Sequence, residues 1–268
     1  MGGTAKVRQK KSIALAVASS GIAATLLDGG RTAHSAFKLP LDLSRQESPS
    51  CNISKASAKA KVLQRCKLII WDEATMSHKR AFEALDRTLK FLHNNDKLMG
   101  GVTVVLSGDF RQTLPVITRG TRADEVNACI KASQLWQQTK RLSLSTNIRV
   151  QLHGGESAGQ FANQLLQVGN GQILPSSDDQ IKLPFGQMIE TENDLIMKVF
   201  PNFAQHFTST AWLCERAILA PKNEAVNNIN QKLLDAQPGR CRQEVEQWFA
   251  VEVHWIQDNV YRCLQYPT

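Results

Sequence analysis

The chain has 268 residues, 42% hydrophobic and 21% charged, with 32 Lys and Arg against 24 Asp and Glu, a formal net charge of +8 and a pI near 9.3. Whole-chain disorder is excluded, and the length fits one large α/β unit or two domains of roughly 130 residues. The longest apolar stretch near the N-terminus, Ile13 to Ala18, is far shorter than the about 18 residues of a membrane span and carries no secretory pattern, so a soluble intracellular chain with no membrane partner is expected.

The predicted elements follow in chain order. Ile13 to Ala18, stopping at Ser19-Ser20-Gly21, reads as a buried strand, and Gly21 to Leu27 as a helix. Lys38 to Ser57, rich in Ser and Pro, reads as a long loop. Leu68 to Trp71, ending at Asp72-Glu73, is a second buried strand. Ser77 to Leu92 spaces Ala81, Leu85, Leu89 and Leu92 on one face of a helix. Val102 to Leu106, ending at Ser107-Gly108-Asp109, is a third strand. Leu144 to Arg149 is a strand-like run ending in Asn and Arg, Ser157 to Val168 a helix, Gly169 to Lys182 a loop, Ala217 to Ala220 a fourth strand and Glu224 to Leu234 a helix. Apolar runs without alternation are what strands covered on both faces require, so the fold class expected is α/β with a parallel sheet. Ligands of such sheets gather beyond the carboxyl ends of the strands, where Ser19-Ser20-Gly21, Asp72-Glu73 and Gly108-Asp109 fall.

Three constellations carry chemistry. An apolar strand ending in Asp72-Glu73 is a Walker B arrangement, with one carboxylate available to Mg²⁺ and the next to a water; the same pair also fits a carboxylate cap on the following helix. Gln112, in Gly108-Asp-Phe-Arg-Gln112, is placed to hydrogen-bond a γ-phosphate or an attacking water, and Asp109 and Gln112 also fit an ordinary turn. Arg149 could meet a γ-phosphate or form a surface ion pair. Six cysteines (Cys51, Cys66, Cys129, Cys214, Cys241, Cys263) show no C-x-x-C or zinc-finger spacing and are expected as free, mostly structural thiols.

Ser19-Ser-Gly-Ile-Ala-Ala24 with Gly29-Gly-Arg-Thr-Ala-His34-Ser35, then Ile69 to Met76, Gly108 to Gln112 and Asn147 to Arg149, occur in one order. This set resembles the PIF-type (petite integration frequency) ATP-dependent DNA helicases of superfamily 1B, including the helicase portions of Helitron transposons. The resemblance runs from about Ala5 to about Leu234 and takes in Glu215-Arg-Ala-Ile-Leu-Ala-Pro-Lys-Asn223. It implies a RecA-like P-loop NTPase core and a 5′-to-3′ motor that hydrolyses ATP with Mg²⁺ and acts on single-stranded and duplex DNA. Genome maintenance, telomere work or transposition is the implied role, in the nucleus or the mitochondrion. Glu73, Gln112 and Arg149 are the implied catalytic set, Asp72 the Mg²⁺ ligand, and Asp72, Gln112 and Arg149 the nucleotide contacts. Ser19, Gly21, Thr32, His34 and Ser35 are the implied DNA contacts, with Gly21 and Gly30 letting the backbone approach a phosphate and Phe37 either stacking on a base or packing inward.

The family's Gly-x-x-x-x-Gly-Lys-Ser/Thr loop is not intact. The nearest match, Gly2-Gly-Thr-Ala-Lys6-Val7, lacks the second Gly and the hydroxyl, so Lys6 is not assigned to phosphate and is read with Arg8, Lys10 and Lys11 as an exposed basic run. The expected organisation is a first lobe over 1–168 without that loop, the start of a second over 169–237, and a tail over 238–268, with Trp248, Phe249, Trp255 and Tyr261, that matches no motif. Impaired ATPase activity is expected, and the alternative is a non-catalytic single-stranded DNA-binding or transposon-derived remnant.

Overall fold

A computed structural model of the chain describes residues 12–44, 46–153, 156–173, 183–220 and 222–237. Lys6, its basic neighbours and the 238–268 tail lie outside the described residues. The chain divides into two compact units, Met1–Pro184 and Phe185–Thr268.

The first unit is built on a four-stranded, wholly parallel sheet. Its strands are β1 (Ile13–Ala18), β2 (Arg31–Thr32), β3 (Cys66–Asp72) and β4 (Thr103–Leu106), in the order β2-β1-β3-β4. Register sets Ala18 opposite Asp72 and Trp71 opposite Leu106, so all three longer strands finish at one edge. The parallel α/β architecture expected from the apolar runs is present.

The crossovers supply the helices. Ser20 caps α1 (Gly21–Thr25) through its hydroxyl, which accepts from the Ala23 N–H, and Thr32 caps α2 (Ala33–Phe37) in the same way through the Ser35 N–H. A segment without regular structure then leads to Ser57, the N-cap of α3 (Ala58–Arg65). The long helix α4 (Lys79–His93) buries Ala81, Phe82, Ala84, Leu85, Leu89 and Leu92, the stripe expected from its period. Its two buried polar residues have assigned work. The Asp86 carboxylate accepts the Met99 N–H at 2.6 Å and pairs with Lys90 at 2.7 Å; the Thr88 hydroxyl accepts the Cys51 N–H at 2.9 Å and donates to the Ala84 carbonyl at 2.7 Å. Both tie neighbouring loops to the helix without leaving a buried donor unmet.

The core centres on Trp71, which is fully buried with its ring 5.6 Å from Phe37 and 4.5 Å from Phe82. Phe37 therefore packs inward and is closed to a nucleobase. Burial pushes the Cys51 thiol up to about 11, and Cys51, Cys66 and Cys129 are buried free thiols, as expected of structural cysteines. Beyond β4 come α5 (Arg122–Ala128), α6 (Gln134–Gln137), α7 (Ile148–His153) and α8 (Glu156–Gly169).

Two strand expectations fail. Leu144 to Asn147 has no regular structure and joins no sheet among the described residues, and Leu142 and Leu144 are 85% and 101% exposed. Ala217 to Ala220 likewise has no regular structure, with Leu219 73% exposed. A lone apolar run has no ladder to satisfy its backbone groups, and strand propensity alone does not hold it.

In the second unit α9 (Glu192–Val199), α10 (Phe203–His206), α11 (Thr210–Cys214) and α12 (Asn223–Asp235) follow one another. Trp212 joins the first three: it lies 6.0 Å from Phe200, stacks on His206 at 5.0 Å and carries the Arg216 guanidinium at 4.3 Å. Lys232 pairs with Glu192 at 2.6 Å, tying α12 to α9. Among the described residues no helix is long and apolar enough to cross a membrane.

Candidate functional site

At the carboxyl edge of the sheet the loops after β1, β3 and β4 are hydrogen-bonded to one another. The Ser19 N–H donates to the Asp72 carbonyl at 3.1 Å, the Ser107 N–H to the Trp71 carbonyl at 2.9 Å, and the Ala74 N–H to the Ser107 carbonyl at 2.8 Å. The Thr75 hydroxyl reaches the Asp109 carbonyl at 3.4 Å. Gly108 lies against Thr75 so closely that a Cβ on it would sit 2.9 Å from the Thr75 methyl and 3.0 Å from its hydroxyl. A side chain at residue 108 would push the two loops apart.

Asp72 and Glu73 stand half-buried at the end of β3. The Asp72 Oδ1 accepts the Glu73 N–H at 3.0 Å, and Glu73 adopts a left-handed backbone (φ 50°, ψ 37°), costly for a residue with a side chain and typical of functional turns. The carboxylate does not cap the next long helix; His78 does that, its Nδ1 accepting the Arg80 N–H at 3.0 Å. The helix-cap reading of the acidic pair thus gives way. Among the described residues no cluster of three or more His, Cys, Asp or Glu forms a metal cage. A single hard carboxylate at a strand end suits Mg²⁺, which keeps several waters and takes one or two carboxylates together with substrate phosphates.

Gln112 is exposed at the end of a turn closed by its own N–H on the Asp109 carbonyl at 3.0 Å. With Phe110, Arg111, Arg122 and Glu125 it lines a cavity of about 570 Å³. Asp109 is spent locally on the Arg111 N–H and guanidinium. Asn147 caps α7 by accepting the Val150 N–H at 3.2 Å. Arg149 belongs to that helix, and its side chain lies outside the described residues.

The residues expected to touch DNA are drawn together in part. Ser19 and His34 line one cavity of about 770 Å³ with Met76, Ser77, His78 and Arg119, whereas Gln112 opens onto the smaller one. The Ser19 hydroxyl accepts the Trp71 indole N–H at 3.0 Å and bonds Ser77 at 2.8 Å, so it is engaged within the fold. The Thr32 hydroxyl accepts the Ser35 N–H, which leaves its own proton for an outside acceptor. His34 and Ser35 are exposed on α2, and Gly21 is exposed with open space where a Cβ would be. Gly30 has a packing reason for lacking a side chain. A Cβ there would lie 2.4 Å from the Ala24 carbonyl and 2.6 Å from Leu27, so its bareness serves the loop's own packing.

Ser77 and His78 escaped the sequence reading, although a Ser-His pair just ahead of an amphipathic helix carries a capping signal. Burial and the nearby Arg80 and Lys79 charges hold the His78 imidazole below its usual 6.5, Glu83 acting in the opposite sense. Neutral imidazole is also what an Nδ1 acceptor needs.

A family model for PIF1-like helicase matches residues 4–179. The chain belongs to the PIF1-like helicase family. Among curated relatives, the ATP-dependent DNA helicase Pif1 of Psychrobacter sp. (strain PRwf-1) is 31% identical over 166 residues, 62% of this chain and 25% of that protein. The ATP-dependent DNA helicase PIF1 of Candida albicans is 27% identical over 161 residues, 58% of this chain and 17% of that protein. The chain thus spans a quarter or less of these two PIF1 relatives. The crystal structure of Pif1 helicase from Candida albicans matches at a TM-score of 0.56 and 18% identity, covering 88% of this chain and 47% of that one. Pif1 from Bacteroides in complex with ADP-AlF3 and ssDNA matches at 0.54 and 21%, covering 85% and 48%. At these identities the likeness is one of fold, and the parallel sheet is the RecA-like α/β core of PIF1 helicases.

Proposed function

We propose that the chain is a portion of an ATP-dependent 5′-to-3′ DNA helicase, working with Mg²⁺ on single-stranded and duplex DNA, in the nucleus or mitochondrion. The observation that carries the reading is the joining of three motif loops, those bearing Ser19, Asp72-Glu73 and Ser107 to Gln112, at one edge of a parallel sheet. Family membership supports it, as do the relatives named for ATP-dependent DNA unwinding.

In this reading Asp72 holds the metal ion, which when bound offsets phosphate charge. Glu73, in its left-handed turn just past the strand end, orients and deprotonates the attacking water. Gln112 senses the γ-phosphate from its turn, and Arg149 meets developing charge on the same group. His34, Ser35 and Thr32 offer hydrogen bonds to the strand of DNA, while Ser19 positions that loop through Trp71 and Ser77.

ATP hydrolysis with and without single-stranded DNA tests the reading, with Glu73→Gln as control for contaminating ATPases. DNA-stimulated turnover that the substitution lowers by two orders of magnitude or more, on the scale of roughly 10²–10⁴-fold for lost general-base catalysis, supports it. The 268 residues contain no Gly-x-x-x-x-Gly-Lys-Ser/Thr sequence. Turnover is therefore expected to rise when such a strand and loop are fused ahead of Ile13. Single-strand binding with no turnover in either form favours the non-catalytic reading, and the +8 charge makes that binding salt-sensitive.

A further inference from the structure

Three cations gather beside the Thr32–Ser35 segment. Arg31 lies in β2, Lys38 follows α2 in a left-handed conformation (φ 49°), and Lys59 sits in the first turn of α3. The Lys59 ammonium donates to the Ser35 carbonyl at 2.6 Å, which brings α3 onto the back of the segment expected to meet DNA. Burial first, and then the charges of Lys38 and Arg31, make the Lys59 ammonium easier to deprotonate than usual. Lys38 and Arg31 therefore act on Lys59 electrostatically, and none of the three is in an ion pair among the described residues. The neighbouring sequence deepens this field: residues 48–71 hold Lys55, Lys59, Lys61, Arg65 and Lys67 and no Asp or Glu.

We propose that Arg31, Lys38 and Lys59 form a phosphate track that carries the sugar–phosphate backbone of a single strand along the β2 edge, past Thr32–Ser35. The track rests on the DNA-binding reading above and adds Lys38 and Lys59, which lie outside the motif segments, to Arg31 within one of them. An anion relieves the repulsion that Lys38 and Arg31 exert on Lys59. Lys59 spends one of its three N–H groups on Ser35 and keeps two for a phosphate, and the Arg31 guanidinium can take phosphate oxygens in pairs. The cleft next to His34 favours a single strand, because Leu41, Met76, Val116 and Ile117 give it apolar wall against which unstacked bases can lie.

The test is the salt dependence of binding of the full chain to a labelled oligothymidylate, followed by fluorescence anisotropy without nucleotide. Each lost phosphate contact on a single strand lowers the slope of log K against log salt by about 0.7. The triple substitution Arg31→Gln, Lys38→Gln, Lys59→Gln is thus expected to flatten the slope by about 2. Lys59→Arg, which keeps charge and donor, is expected to retain the wild-type slope, and Lys61→Gln with Arg65→Gln to change it by less than one contact. If the triple variant melts early, Arg31→Gln with Lys38→Gln carries the test at about two-thirds of the loss. A wild-type slope in both variants, an equal loss in the Lys61 and Arg65 variant, or tighter binding of blunt duplex than of the single strand overturns the track and leaves the helicase reading standing. Failure of the unaltered chain to bind any single strand overturns both.

Discussion

Trp71 has two roles that substitution can separate. Its rings fill the space between Phe37 and Phe82, and its N–H fixes Ser19. Trp71→Ala is expected to cost about 3–5 kcal/mol in urea unfolding, as truncation of a buried aromatic does, whereas Trp71→Phe, which removes the hydrogen bond and only part of the ring volume, should cost less. Acid should weaken the fold through His78. Its folded pKa lies below the unfolded value of 6.5, so the unfolded chain binds more protons and stability rises with pH. The contribution is complete above about 6.5 and is lost as pH falls through the lower folded value; unfolding midpoints across that range should fall less steeply in His78→Asn. Asp72, Glu73 and Gln112 were legible in the sequence because each ends or follows an apolar run. The engagement of Ser19 was not, since its partners Trp71 and Ser77 are 52 and 58 residues away and only the fold brings them near.

Among the elements, α4 shows most directly how pattern becomes stability. Leu85 and Leu89 are fully buried, so Leu85→Ala is expected to destabilise by about 2–5 kcal/mol in denaturant unfolding. Asp86→Ala should cost a comparable amount by a different route, leaving the Met99 N–H buried and unmet. β1, β3, β4 and α4 were readable because an apolar run and a helical period each leave a pattern in the sequence; β4 carries the run without the burial expected of it, since it stands at the end of the sheet with Val105 45% exposed. Two-residue β2 and five-residue α2 are too short to show a period, and α2 declares itself only through the Thr32 cap. Leu144 to Asn147 and Ala217 to Ala220 carry the residues of strands without a neighbour to pair with among the described residues. Strand identity is a relation between segments, and composition records only one of them.

At the scale of the whole molecule, the sheet is a platform that gathers loops distant in sequence onto one edge, and the crossover helices hold that edge still. The loops after β3 and β4 are bonded backbone to backbone, and Gly108 is pressed against Thr75. Gly108→Ala should lower stability and ATP turnover together, and Thr75→Ala should restore part of both in the double variant, a coupling that a double-mutant cycle measures. The same contact constrains ancestry. Residues 75 and 108 are expected to vary as one inherited character: lineages that place a larger residue at 108 should already have lost the threonine opposite, and an alignment of family sequences would expose that shared history as correlated change.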